Sequence, residues 1–127
     1  MNAEKIINQL MEKYPGKKIV MNKAEDGKVV EILCEIESTS VHPEWSLAIV
    51  IADRSKSHKH LKTTESYKVT KSTLKVFIDG EEKTLHEGDS VTIEPGQVHY
   101  VTGDETWFEC KSEPGWTIED HIFEKQE

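Results

Sequence analysis

The chain has 127 residues, of which 35% are hydrophobic and 31% charged, and its formal net charge at pH 7 is -8. A chain of this length buries one core of ordinary size, so we expect a single domain over residues 1–127. The acidic balance leaves no basic stripe to bind phosphates, so neither nucleic acid nor an anionic membrane surface is an expected partner.

The sequence predicts neither a targeting signal nor a disulfide framework. The opening stretch MNAEKIINQLMEKYPGKK lacks the long apolar run of a signal peptide, and no apolar run is long enough to span a bilayer. These features predict a cytoplasmic protein. Cys34 and Cys110 form no C-x-x-C pair, so we expect two core thiols, with a disulfide between them as the alternative.

The first predicted element is a short amphipathic helix. Apolar residues recur at helical spacing from Ile6 to Met11, after Asn2, which is a good N-cap residue. The Pro-Gly pair at 15–16 predicts the end of this helix.

Beyond the helix the hydrophobic period changes to two, which is typical of strands. In VVEILCEIE, residues 29–37, apolar side chains share one face and glutamates take the other. WSLAIVIA, residues 45–52, is apolar on both faces and therefore has to be covered on both sides. A barrel core would cover one side, and the N-terminal helix or a second subunit the other, which makes a homodimer an expectation.

The remaining strands are predicted from alternation between turn signals, at KKIVMN, ESYKV, TLKVFI, KTL, DSVTI, HYVT, TWFECKS and WTIEDHIF. Many short strands at close spacing indicate an all-β barrel or sandwich.

A group of metal-ligand side chains interrupts this β pattern. His58 and His60 are one residue apart on a predicted strand, so both point to one face while Lys59 points away. Glu65 follows, and His99 lies in another predicted strand. Three imidazoles and one carboxylate form a mixed donor set suited to Fe(II), Mn(II), Ni(II), Co(II) or Zn(II).

The stretch from about residue 52 to 103 resembles the two motifs of the cupin superfamily. HKHLKTTE, residues 58–65, is similar to the first motif, and GDSVTIEPGQVH, residues 88–99, is similar to the second. Ala52 and Ser72 stand where the family usually has glycine, and the proline of the second motif is one place later than usual.

The resemblance implies a double-stranded β-helix, or jelly-roll barrel, often dimeric. It assigns one divalent transition metal to four ligands, His58, His60, Glu65 and His99. Within the superfamily the sequence is most similar to single-domain relatives of sugar and sugar-phosphate isomerases, with dioxygenases of similar size next. Arg54 is the only arginine in the chain, which weakens the sugar-phosphate version because a bidentate phosphate clamp has no other candidate.

Tyr67 and Glu65 are the candidate catalytic residues. Tyr67 shares a strand face with Glu65 and would donate or accept a proton at the substrate, with a barrel-lining aromatic as the alternative. Glu109 is a further candidate to face His99 as a hydrogen-bond partner.

For the other aromatic residues, histidines and lysines of interest, we expect structural roles. Large rings in a small β-protein usually belong to the core, and this is expected of Trp45, Trp107, Phe108 and Trp116. Histidines outside the motifs are expected to be exposed or hydrogen-bonded, and these are His42, His86 and His121. Lysines near the first motif are expected to form a solvated rim, and these are Lys56, Lys59 and Lys62.

Three functions stay open. The first is a metal-dependent, isomerase-like enzyme acting on a small oxygen-rich substrate such as a sugar or a keto or hydroxy acid. The second is an Fe(II) dioxygenase, and the third is a non-catalytic small-molecule-binding cupin. Because metal ligation needs neutral imidazoles, metal affinity is predicted to fall as the pH drops through about 6.5.

Overall fold

A computed structural model describes residues 1–124 as a mostly antiparallel β structure with one α-helix. The elements are α1 Ala3–Lys13, β1 Lys18–Lys23, β2 Val29–Glu37, β3 Ser46–Arg54, β4 His58–Lys59, β5 Thr64–Lys71, β6 Leu74–Ile78, β7 Glu81–Leu85, β8 Ser90–Ile93, β9 His99–Glu113, a 3-10 helix Ile118–Asp120 and β10 Ile122–Phe123. The strands curl into a jelly-roll barrel, which confirms the predicted fold class. Within the described residues, no helix has the length and apolarity needed to cross a membrane.

The N-terminal helix forms where the sequence predicts it. The side chain of Asn2 caps it by accepting a hydrogen bond from the backbone N–H of Lys5 at 3.2 Å. Ile6 and Leu10 are buried on one face of the helix. That face packs on Ile49 and Ile51 of β3, so the helix supplies the outer cover that the doubly apolar strand requires.

β9 is the strand on which the barrel closes. It pairs antiparallel with β3, β4, β5 and β6 along its length. The sequence predicts two strands here, but the structure has one continuous strand with a bulge at Gly103–Glu105. Glu105 has a positive φ of 46°, and the register with β3 shifts between Ala52 and Arg54. An extra residue at such a bulge reverses which side chains point inward further along the strand.

Hydrophobicity alone would place the apolar face of β2 inside the barrel and its glutamate face outside, but the structure shows the reverse. Its apolar residues Ile32 and Cys34 pack beneath α1, outside the barrel. Leu33 packs against the barrel core, so Glu31, which alternates with it on the same face and pairs with buried Ala52, lies on the barrel side. The Cys34 and Cys110 thiols are free and belong to different clusters, so no disulfide joins them.

The C-terminal stretch WTIEDHIF departs from its predicted single strand. It contains the 3-10 helix Ile118–Asp120 and only the two-residue strand β10. β10 pairs with β4, which places this stretch beside the first histidine motif.

Candidate metal centre

Four side chains of the ligand type converge on the inner face of the barrel, His58, His60, Glu65 and His99. The atoms that each offers as a ligand all lie within 4.8 Å of one another. Their fractional exposure is between 1% and 8%, so the cluster is buried. Strand register explains the convergence, because His58 of β4 pairs directly with His99 of β9.

The outer nitrogen of each imidazole in this cluster is held by a backbone carbonyl. Nδ1 lies 2.9 Å from the oxygen of Lys56 for His58, and 3.0 Å from the oxygen of Gln97 for His99. A carbonyl oxygen only accepts, so each neutral ring carries its proton on Nδ1 and presents a lone pair at Nε2. This is how proteins usually orient histidines that bind metal ions.

His60 is held in the same way, by a 2.8 Å contact between its Nδ1 and the backbone oxygen of Asp120. The carboxylate of Asp120 in turn accepts hydrogen bonds from the backbone N–H groups of Leu61, Lys62 and Thr63, at 2.8 to 3.3 Å. Asp120 therefore fixes both the ring of His60 and the loop that follows it.

The inner nitrogens of this cluster face oxygens that cannot donate to them. Oε1 of Glu65 lies 3.1 Å from Nε2 of both His60 and His99. With the ring protons on Nδ1 and Glu65 ionised, these contacts bring acceptors together, which is unfavourable unless a proton or a cation lies between them. Nε2 of His60 is also buried without a hydrogen-bond partner among residues 1–124. The cluster therefore suits a divalent metal ion.

The charge states of the cluster follow from burial and mutual contact. Burial raises the pKa of Glu65, but its contacts with His60 and His99 and their charges outweigh this and hold the pKa well below its usual value. Burial lowers the pKa of His60, but contact with Glu65 and the charge of that carboxylate raise it overall. Burial, helped by the charges of His99 and His121, lowers the pKa of His58 to about 3. Glu65 is thus an anion and His58 a neutral ring at neutral pH.

Three further groups converge on the Glu65 carboxylate. The phenol of Tyr67 donates to Oε1 at 3.2 Å. The thiol of Cys110 and the hydroxyl of Ser112 donate to Oε2 at 3.3 and 3.4 Å. Burial, followed by the negative charge of Glu65, raises the pKa of Tyr67 well above 10. Tyr67 is therefore a donor of protons and hydrogen bonds near neutral pH, and not a base.

His121, to which the sequence assigned no role at the site, lies against the predicted ligands His58 and His60. Its ring stacks on that of His58, with centroids 4.1 Å apart and planes at 9°, and meets His60 edge-on at 5.3 Å. Its Nδ1 accepts a 3.0 Å hydrogen bond from the indole N–H of Trp116. Nothing in the local sequence signals this, because only the pairing of β10 with β4 places the segment there.

Glu31 is a second residue that the sequence did not indicate. Asn22 of β1 donates a 2.8 Å hydrogen bond to its carboxyl group. Burial, together with the charge of Glu65, nevertheless raises the pKa of Glu31 to about 7. The charge of Glu31 in turn contributes to the raised pKa values of Tyr67 and Cys110, so this carboxyl belongs to the electrostatics of the barrel interior.

The prediction that Glu109 faces inward is wrong. Phe108 and Cys110 point into the barrel, whereas Trp107, on the same face as Glu109, packs against the helix cluster. The bulge at Gly103–Glu105 is the reason, since it reverses the alternation that starts at His99.

The structural roles predicted for the other histidines, aromatic residues and lysines are confirmed in part. His42 is hydrogen-bonded to the backbone oxygen of Trp45, and His86 is exposed, as expected. Phe108 is a core residue at 2% exposure, but Trp116 is 42% exposed. Among the rim lysines, Lys56 and Lys62 are exposed and Lys59 pairs with Glu124 at 2.7 Å.

Comparison with known proteins agrees with this geometry. Residues 47–107 match the family model of the cupin domain, and the fold and the match together support the cupin superfamily. No curated protein sequence matches the chain.

Solved structures share the fold. The nucleoside dehydratase Pac13, from Streptomyces, has a TM-score of 0.71 at 15% identity, covering 87% of this chain and 88% of that chain. A cupin-2 domain protein of Rhodospirillum rubrum has a TM-score of 0.67 at 15% identity, covering 84% and 80%. A variant of oxalate decarboxylase from Bacillus subtilis has a TM-score of 0.71 at 14% identity, covering 87% of this chain and 31% of that one. At these identities the likeness shows the fold alone.

Proposed function

We propose that the protein is a divalent-metal-dependent enzyme that moves a proton on a small, oxygen-rich substrate such as a sugar or a keto or hydroxy acid. The observation that carries the proposal is the convergence of three imidazoles and a protonated tyrosine on one buried carboxylate. A divalent metal held there would polarise a substrate oxygen and stabilise the negative charge that forms when a neighbouring C–H proton leaves.

The chain offers both an acid and a base for this chemistry. Tyr67 stays protonated, so it would donate a hydrogen bond or a proton to a substrate oxygen. Glu31, with a pKa of about 7 on the barrel side of β2, would accept a proton near neutral pH. Glu65 already contacts His60, His99 and Tyr67. These contacts suit a metal ligand that orients its neighbours, and they do not suit a free general base.

The substrate class is narrowed by the cations around the site. Arg54 is exposed at the end of β3, and Lys59 is already paired with Glu124. Among residues 1–124, neither of these cations provides a bidentate clamp for a phosphate group at the cluster. We therefore favour an unphosphorylated substrate over a sugar phosphate.

An Fe(II) dioxygenase is the second candidate, since the same donor set suits Fe(II). A non-catalytic binding cupin is the third candidate. A cytoplasmic location and a homodimer remain proposals.

Proton exchange tests the leading proposal directly. The protein is loaded with Mn(II), Co(II), Ni(II) or Zn(II) and incubated in D2O with a panel of sugars, keto acids and hydroxy acids. Proton NMR should show metal-dependent loss of one C–H signal in at least one compound. Because general acid catalysis contributes about 10²-fold or more, Tyr67→Phe should slow the exchange by at least that factor, whereas the exposed control His86→Ala should not.

Oxygen chemistry is tested separately with the Fe(II)-loaded protein. Oxygen uptake in the presence of thiols, diketones or catechols, without exchange in the D2O assay, would support the dioxygenase. Neither activity in a protein that binds metal would leave the binding cupin as the best account.

A further inference from the structure

His121 differs chemically from the three histidines in the predicted ligand set. In those three, Nδ1 faces a backbone carbonyl, so the lone pair is on Nε2. In His121, Nδ1 accepts from the indole N–H of Trp116 at 3.0 Å. An indole nitrogen only donates, so the neutral ring of His121 carries its proton on Nε2. Its lone pair is occupied, and its free nitrogen is a donor.

That donor nitrogen is available to a ligand. Nε2 of His121 has no hydrogen-bond partner among residues 1–124 and is not sealed in the interior. The ring stacks directly on His58, the most exposed of the four converging residues at 8%. The His121 ring therefore lies beside the candidate metal centre, with its centroid 4.1 Å from that of His58 and 5.3 Å from that of His60.

The position of His121 is fixed by its neighbours on the chain. Asp120 binds the loop after His60 through its carboxylate and the His60 ring through its backbone oxygen. On the other side, Ile122 pairs with Lys59 of β4. His121 thus sits between two anchors and is not part of a loose tail.

We propose that His121 is a substrate-binding residue whose Nε2–H donates a hydrogen bond to an oxygen of the small substrate held at the candidate metal centre. Trp116 is then a positioning residue, because its indole N–H fixes the tautomer of His121. The inference rests on the proposed function, since it takes the oxygen-rich substrate from there. It also separates His121 from the ligands, because a protonated Nε2 cannot bind a metal ion.

The tautomers are measured by long-range proton–nitrogen NMR of the imidazole rings in the Zn(II)-loaded protein. His121 should be the Nε2–H tautomer, and the three histidines of the predicted ligand set the Nδ1–H tautomer. In Trp116→Phe, the ring of His121 should lose this preference while the other three keep theirs. An Nδ1–H tautomer of His121 in the wild type would overturn the inference.

The donor role is measured by titrating the Co(II)-loaded protein with oxalate, a small chelating dicarboxylate, in a calorimeter. His121→Ala should keep one cobalt per chain but bind oxalate about 10-fold more weakly, the loss expected for one hydrogen bond to an anion. His121→Gln, which restores an N–H at similar reach, should recover most of the affinity, and His86→Ala should match the wild type.

Two outcomes separate this inference from the function on which it rests. A wild-type protein that takes up no cobalt would refute the metal-dependent function and the inference with it. Normal cobalt and oxalate binding in both the wild type and His121→Ala would refute the inference alone. Loss of cobalt from His121→Ala would make His121 a ligand, which also contradicts the assignment.

Discussion

The role of each imidazole nitrogen at this site is set by the partner of the other nitrogen. A carbonyl on Nδ1 leaves His58, His60 and His99 with a lone pair on Nε2. An indole N–H on Nδ1 leaves His121 with a proton to donate. Residue type alone therefore does not identify a metal ligand, because the partner of one ring nitrogen decides whether the other presents a lone pair or a proton.

Glu31 provides a pH-dependent test at the same scale. Its pKa is about 7 in the folded chain and 4.5 as the ordinary value, so the folded state binds the extra proton between these values. The contribution of Glu31 to the free energy of unfolding should therefore fall as the pH rises from about 4.5 to 7 and level off above that. Glu31→Gln keeps an acceptor for Asn22 but does not ionise, so it removes this loss of stability with rising pH.

The expected result is that the stability of Glu31→Gln relative to the wild type improves between pH 5 and pH 8. The gain should be on the order of 1 to 3 kcal/mol, since one pKa unit corresponds to about 1.4 kcal/mol. Thermal unfolding at both pH values measures it, with exposed Glu82→Gln of β7 as the matched control. Equal pH dependence of the two variants would mean that Glu31 titrates normally.

At the scale of elements, the link between the C-terminal segment and the first motif depends on Asp120. Its carboxylate accepts from three backbone N–H groups of the loop Leu61–Thr63. Asp120→Ala would leave these donors without their partner, so the free energy of unfolding should fall by about 1 to 3 kcal/mol. Chemical denaturation measures the loss, and the neighbouring exposed Glu119→Ala should stay within about 0.5 kcal/mol of the wild type. A similar small effect in both variants would show that the loop does not need this anchor.

Most elements were predictable because their patterns are local. β2 has the predicted bounds 29–37, and Asn2 caps the predicted helix. Ser72, which stands where the family usually has glycine, keeps the left-handed backbone of such a position, with a φ of 73°.

What the sequence could not provide depends on pairing between distant strands. The bulge in β9 reverses the alternation of inward and outward side chains, so Cys110 points into the barrel and Glu109 points outward. The two-sided pattern of β2 did not show which face would meet the helix and which the barrel, so Glu31 went unnoticed. His121 lies far from both motifs in the sequence and reaches the site only through β10.

At the scale of the whole molecule, one sheet separates two apolar clusters with different tasks. The barrel cluster surrounds residues such as Val69, Val76 and Phe108, while the outer cluster joins α1 to β3. Because the helix covers β3, that strand no longer requires a second subunit. A homodimer stays a prediction, and β1, which ends the strand order and leaves Val20 39% and Met21 46% exposed, offers one surface for it.

The central claim is that His58, His60, Glu65 and His99 bind one divalent metal ion, and elemental analysis tests it most directly. The protein is purified without an affinity tag or chelator, analysed by mass spectrometry, and then titrated with Mn(II), Fe(II), Co(II), Ni(II) and Zn(II). The account predicts one equivalent per chain, lost in His99→Ala but retained in His86→Ala, with both variants folded. No metal as purified and no uptake of any of these ions would contradict it.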